Sequence, residues 1–168
     1  DQYHMERKYI GIDCGLNGGI AFLEDGELCT MPMPKYKAGK GEKINIVELS
    51  RILHRSPMLS YRHIVEDPGG HAPSASGLRS MTYSFAVIET LLVSNAATYE
   101  TVISKKWQSM FWTRPKMPKG KTFDTKAAAL DAVRKIFPSH DFTLTERATK
   151  PHDGKIDAAL LAEYGRRK

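Results

Sequence analysis

Cysteine is scarce in this chain: Cys14 and Cys29 are the only two. Two thiols cannot make a disulfide framework, and the expectation is two buried, unpaired thiols in an intracellular protein. Long apolar runs are absent as well. None approaches the roughly 20 residues that a membrane-spanning helix needs. Asp1 to Lys8 is polar and lacks the apolar segment of a secretory signal. His4-Met5 reads as a cloning junction, which sets residues 1–4 aside and leaves residues 5–168 as a single domain. There is no internal repeat and no long low-complexity tract. Acid is in short supply relative to base: 19 Asp and Glu face 25 Lys and Arg, a formal charge of +6. That surplus suggests a polyanionic partner, either nucleic acid or an anionic surface.

What is present is a globular composition, 41% hydrophobic and 26% charged over 168 residues. That length suits one domain with a sizeable core. Tyr9, Ile10 and Ile12 make Lys8 to Asp13 a strand. Gly15, Asn17, Gly18 and Gly19 form a turn, and Ile20 to Leu23 is a second strand. Asp25-Gly26 is a hairpin signal leading to a third strand, Glu27 to Met31. Pro32 to Lys43, rich in Pro, Gly and Lys, reads as loop. Asn45 with Glu48 fits a capping box for a helix whose apolar stripe is Val47, Leu49, Ile52 and Leu53.

Arg62 to Glu66 is a short buried strand ending in a carboxylate, followed by a Gly-, Pro- and Ser-rich loop from Asp67 to Ser76. Met81 to Ala97 has helical apolar spacing, and Tyr99 to Ile103 is a fifth strand. Ser104 can cap a short helix through Phe111. A loop from Thr113 to Lys121 precedes an Ala-rich helix that ends before Pro138, and a last helix runs from near Asp153 towards Arg166. A meander followed by alternating helices and strands predicts an α/β fold, a mixed five-stranded sheet flanked by helices.

Acids occupy three telling places. Asp13 ends the first strand, before a Gly-rich turn. Glu66 ends the fourth, before Pro68-Gly69-Gly70. Asp153 and Asp157 lie four residues apart at the start of the last helix and share a face. Neighbouring strands end side by side, and a helix packed across that end would bring its first turn to the same point. Convergent carboxylates repel one another unless a cation joins them, and hard oxygen ligands select Mg²⁺ or Mn²⁺. Two such ions can activate water and stabilise the leaving oxygen of a phosphodiester. Each acid also has an ordinary reading. Asp153 reads as a helix cap with a dipole-compensating acid, Asp13 as the start of a turn, Glu66 as a solvated strand end. It is the combination that points to a metal site.

Ile12-Asp13-Cys14-Gly15 with Gly18-Gly19, Val65-Glu66 before Pro68-Gly69-Gly70, and Lys150-Pro151-His152-Asp153-Gly154-Lys155-Ile156-Asp157-Ala158-Ala159 resemble the RuvC family. These are Holliday junction resolvases of the RNase H-like superfamily. Phage, plasmid and chloroplast members share the Asp-Gly-Lys-x-Asp-Ala ending and the Tyr164-Gly165 that closes it. The resemblance spans Lys8 to Arg166. It implies an RNase H-like nuclease domain, a Mg²⁺-dependent endonuclease with two ions per site, with Mn²⁺ as a substitute. It also implies a homodimer that makes paired symmetric nicks in four-way or branched DNA. By position Asp13, Glu66 and Asp157 are metal ligands and catalytic, with Asp153 the fourth acid. Bacterial members space the last pair three apart rather than four, so Asp157 is the firmer assignment. His152 either assists or is a surface loop histidine. The implied setting is a bacterial cytoplasm, with a phage or mobile element as the source, or an organelle.

From Lys105 to Lys121 the chain carries Lys105, Lys106, Arg114, Lys116, Lys119 and Lys121 without an acid, interleaved with Trp107, Phe111 and Trp112. Such a stretch suits salt-sensitive phosphate contacts, with Trp107 assigned to the core. Lys150 and Lys155 flank the last acids and join the expected DNA-binding set. Arg79 is a further expected DNA contact. Tyr83 and Phe85 are candidates for stacking on unpaired bases or for core packing. The Lys35, Lys37, Lys40 and Lys43 segment either holds DNA or keeps the chain soluble. By the resemblance, the helix from Met81 to Ala97 would supply a dimer interface; Phe85, Ile88, Glu89 and Leu92 share one face of it, which is either that interface or the core face.

Three other readings compete with the resolvase. A sugar-kinase or actin-like ATPase needs two such domains, and the length supplies one. Another RNase H-like nuclease acting on branched DNA or structured RNA is an alternative. So is a DNA-junction-binding module with weak catalysis, although every acid position is filled.

Overall fold

The computed structural model describes residues 8–55, 60–70, 72 and 74–168. The expected cloning junction at residues 1–4 lies outside them. Strands β1 (Lys8–Asp13), β2 (Gly19–Glu24) and β3 (Glu27–Pro32) form a meander. A short pair, β4 (Lys35–Ala38) and β5 (Gly41–Ile44), leads to helix α1 (Ile46–Arg55). Then follow β6 (Tyr61–Asp67), α2 (Ala75–Ser94), β7 (Thr98–Ile103), α3 (Ser104–Gln108), α4 (Thr125–Ile136) and α5 (Asp153–Arg167).

The main sheet has the order β3-β2-β1-β6-β7. β1 is antiparallel to β2 and parallel to β6, and β6 is parallel to β7. The mixed five-stranded α/β sheet is therefore as predicted. Its two faces carry separate cores. Ile10, Ile12, Ile20 and Val65 meet α1 and α2 through Leu49, Leu53, Ile88 and Leu92. Ala21, Leu23 and Ile64 meet α3, α4 and α5 on the other face. The two-residue period of each strand sends alternate side chains to each core.

Helix α5 is buried almost all round beyond its first residue, as far as Gly165. Ile156 and Ala158 to Ala162 are all buried. It lies directly on β1, because Gly11 has no side chain there. A β-carbon on Gly11 would sit 2.0 Å from the Ala158 carbonyl oxygen. Small residues on both sides let the two backbones touch.

Several expectations are corrected. Pro32 to Lys43 is not all loop: β4 and β5 form an antiparallel hairpin, turned by Gly39 at φ +64°. Helix α2 starts at Ala75, well before Met81, because Ser74 caps it by accepting from the Gly77 amide. Arg79 and Ser80 are therefore helical. Ser104 does not cap α3. Ile103 stands at that position without a side-chain bond, and the helix stops at Gln108. Asn45 does cap α1, accepting from the Glu48 amide at 3.1 Å. Val47, expected on the stripe of α1, is exposed.

The thiols differ from expectation too, since Cys14 is buried but Cys29 is exposed. Of the two roles open to that face of α2, core packing is the one seen: Ile88 and Leu92 are fully buried, Phe85 packs against the same cluster, and Glu89 accepts from the Tyr99 hydroxyl at 2.7 Å. The basic C-terminus is engaged in ion pairs within the chain. Buried Glu163 accepts from Arg166 at 2.7 Å and Arg167 at 2.8 Å, and Lys168 pairs with Glu100 at 3.0 Å. Among the described residues no helix is long and apolar enough to cross a membrane.

Candidate active site

Asp13 ends β1 and Glu66 lies one residue before the end of β6, its parallel neighbour. The turn after Asp13 is held by a Gly18 amide bond to the Gly15 carbonyl at 2.8 Å, and the Asp13 carboxylate accepts from the Gly15 amide. That turn touches the start of α5 backbone to backbone. A β-carbon on Gly154 would meet the Asn17 carbonyl oxygen at 2.4 Å, and one on Gly19 would meet the Gly154 carbonyl oxygen at 2.6 Å. This close approach delivers Asp153 and Asp157 beside Asp13 and Glu66.

The electrostatics record the meeting. Burial, then the Glu66 charge and more weakly Asp153, push the Asp13 carboxyl up to about 7, against the opposing Gly15 hydrogen bond. Burial followed by Asp13, Glu66 and Asp153 drives Asp157 well above the usual carboxylate range. Burial also raises Glu66, against the hydrogen bonds it accepts from Trp107 and Ser104. Carboxylates that burial and mutual repulsion hold partly protonated are poised for a positive partner.

Two of the acids meanwhile have other company. Glu66 accepts from the Trp107 indole N–H, and Asp153 pairs with Lys126 on α4 at 3.0 Å. Among the described residues no three Asp, Glu, His or Cys side chains gather closely enough to hold an ion. The donors are nonetheless the right kind: oxygen only, half-buried and mutually repelling, which suits a hard divalent cation. Asp67, next to Glu66, is spent on the following turn, accepting from the Gly69 amide at 2.8 Å.

The other expected residues separate into groups. Lys105 and Lys106 are exposed on α3. Lys116, Lys119 and Lys121 are exposed between α3 and α4, and Lys150 is exposed before α5. Arg114 is exposed and donates to the Gln108 side-chain carbonyl at 3.0 Å. Arg79 and Tyr83 lie on an open part of α2, whereas Phe85 is half-buried and packs against the core.

Lys155, expected on DNA, is buried instead. Its ammonium donates to the Thr143 carbonyl at 2.6 Å, because a helix lying flat on the sheet turns that side chain inward. His152 rather than Asp153 is the cap of α5, its Nδ1 accepting from the Lys155 amide at 3.2 Å. Burial and then the Lys155 charge hold the His152 imidazole below its ordinary value.

Two residues of the site were not anticipated in these roles. Trp107 was placed in the core, and it is there, but it also orients Glu66. Its signal is an aromatic donor just after the strand that neighbours the Glu66 strand. Lys126 has a fainter signal, a lone base in the first turn of a helix capped by Asp124.

No protein-family profile matches the chain, and no curated protein matches it. Solved structures do. RuvC of T. thermophilus in complex with Holliday junction substrate aligns over 96% of this chain and 95% of that one, with a TM-score of 0.55 and 12% identity. A Thermus thermophilus RuvC structure aligns over 95% of both chains, with a TM-score of 0.57 and 15% identity. At these identities the likeness is one of fold, and the chain has the RuvC-like form of the RNase H-like α/β fold.

Proposed function

We propose that this protein is a structure-selective DNA endonuclease that nicks four-way junctions. One observation carries the reading: Asp13, Glu66 and Asp157 stand half-buried where β1, β6 and α5 come together, near enough for the Glu66 charge to raise both aspartates, and they would draw in around a cation. These three, with Asp153, would hold divalent metal. Two Mg²⁺ ions bound there would supply an activated water and charge stabilisation at the leaving oxygen.

The chain's own groups do the rest. Trp107 and Ser104 hold the Glu66 carboxylate by hydrogen bonds. Lys126 lies beside Asp153 and Asp157, where a phosphate would arrive. The exposed bases of α3 and the segment after it, with Lys150, would grip the phosphate backbone without reading sequence. A homodimer would place two such sites on the two strands that a symmetric resolution must cut. The RuvC solved with a junction supports DNA of that shape as the substrate.

The test compares a four-way junction with linear duplex of the same sequence in Mg²⁺. The wild type should nick the junction in symmetric pairs and leave the duplex largely intact. Asp157→Asn should bind the junction and fail to cut it. Cutting by that variant at the wild-type rate would overturn the metal-site assignment. Equal cutting of duplex would overturn junction selectivity, and preferred cutting of structured RNA would move the assignment to a different RNase H-like nuclease.

A further inference from the structure

The β4–β5 hairpin stands outside the main sheet, yet it is fastened to the rim of the acid cluster. Lys35, the first residue of β4, donates from its ammonium to the Asn17 side-chain carbonyl at 3.0 Å and to Glu42 on β5 at 3.2 Å. Asn17 lies in the turn that follows Asp13. One lysine thus ties the hairpin to the turn that follows Asp13. Between the hairpin and the first turns of α2 lies a cleft of about 370 Å³, whose walls include Leu16, Glu42, Lys43, Arg79 and Tyr83.

We propose that Lys35 is a phosphate-binding residue for a strand passing along this cleft to the acid cluster, with Glu42 holding its ammonium in place until the phosphate arrives. This rests on the nuclease reading and extends it to the hairpin. An ammonium has three donors, and Asn17 and Glu42 take two of them. The Lys35–Glu42 pair is open to water, with 29% and 45% of the two side chains exposed, so it is weakly held and readily exchanged. Glu42 then has somewhere to go, since Lys37 stands directly opposite it across the hairpin. Exchange would leave Asn17 still positioning Lys35 and no charge unpaired. A lysine suits this task, being a compact charge on a flexible stem.

The experiment measures binding of a four-way junction by the full chain in EDTA, across a salt series. Wild type is compared with Lys35→Met, Glu42→Gln, both together, and Asn17→Ala. Lys35→Met should weaken binding several-fold and reduce the slope of log affinity against log salt by about one. Glu42→Gln should tighten binding in the wild-type background and do nothing when Lys35 is already Met. Asn17→Ala should weaken binding while keeping the wild-type slope, since the charge remains.

A wild-type slope in Lys35→Met would overturn the proposal, and so would an equal effect of Glu42→Gln in both backgrounds. If Asn17→Ala reproduced the slope change of Lys35→Met, the lysine would be a fastening only, and the proposal would fall. Failure of the wild type to bind junction DNA would instead remove the nuclease reading itself.

Discussion

Trp107 donates its indole N–H to one carboxylate oxygen of Glu66 across the gap between α3 and β6. Trp107 is fully buried, with its ring edge-on to Phe111 and Trp112 at 6.4 and 5.9 Å, so the donor cannot wander. Burial raises the Glu66 carboxyl and this bond opposes the rise. Trp107→Phe keeps most of the ring packing and deletes the donor. Glu66 should then ionise at higher pH, and the acidic limb of the nicking rate should move upward with it. At neutral pH the rate should fall about tenfold or more, the usual cost of losing a partner that orients a ligand. A pH–rate profile of the variant decides this, and an unmoved limb would show that the bond does not tune Glu66.

Asp13 and Asp157 make stability depend on pH with an unusual sign. Their folded-state values lie above the unfolded carboxylate value, about 7 against 3.8 for Asp13. The folded chain therefore holds more protons than the unfolded one between those limits, and stability falls as pH rises through them. In EDTA the melting temperature should be lower near about pH 8 than near about pH 5, as far as these groups decide it. Mg²⁺ should raise it more at the higher pH, where the carboxylates are ionised. Asp157→Asn should raise the EDTA melting temperature at the higher pH while removing nicking. Thermal melts at the two pH values, with and without Mg²⁺, test all three.

Gly11 is the contact on which the site depends. A methyl there would lie 2.0 Å from the Ala158 oxygen and 2.6 Å from the Ala162 nitrogen, both backbone atoms that cannot turn aside. Gly11→Ala should cost about 3 kcal/mol or more by forcing α5 off the sheet. Gly70→Ala meets nothing within 4 Å and should change stability by less than about 0.5 kcal/mol. Urea unfolding of both variants measures the contrast, and an unaffected Gly11→Ala would refute the packing argument.

Lys155 and the α3 lysines should behave in opposite ways. Lys155→Met removes a buried ammonium-to-carbonyl bond and should cost about 1.5–3 kcal/mol of stability. The salt slope of DNA binding should stay as it is. Lys105→Gln and Lys106→Gln should leave stability nearly unchanged, and each should lower that slope by about one. Unfolding curves and salt-dependent binding, measured on the same four proteins, separate a folding lysine from a phosphate lysine.

Much of the sheet was legible because its strands carry a local signal. Ile10 and Ile12 alternate with Tyr9 and Gly11, and Asp25-Gly26 turns the chain back. The hairpin was not, because Lys35 to Ile44 has a composition that loops and exposed strands share, and only pairing distinguishes them. The start of α2 was missed for a related reason. Ala75 to Ser80 is small and polar, and it takes the Ser74 cap to begin the helix there. Lys155 looked like surface because a charge beside two acids usually is. Only the angle at which α5 lies on the sheet turned it inward.

The sequence by itself determined where the four candidate acids stand, Asp13 and Glu66 at or next to strand ends and Asp153 and Asp157 in the first two turns of α5, because local patterning sets those elements. It also determined that α5 could lie against β1, since Gly11, Gly154, Ala158 and Ala162 leave no side chains in the way. The tertiary structure decided what surrounds those acids: Trp107 on Glu66, Lys126 on Asp153, and Lys35 fastened to Asn17. These partners lie 41, 27 and 18 residues apart in the chain, so no local periodicity encodes them. They meet because burial of both sheet faces forces the helices and the hairpin into place around the carboxyl ends of β1 and β6.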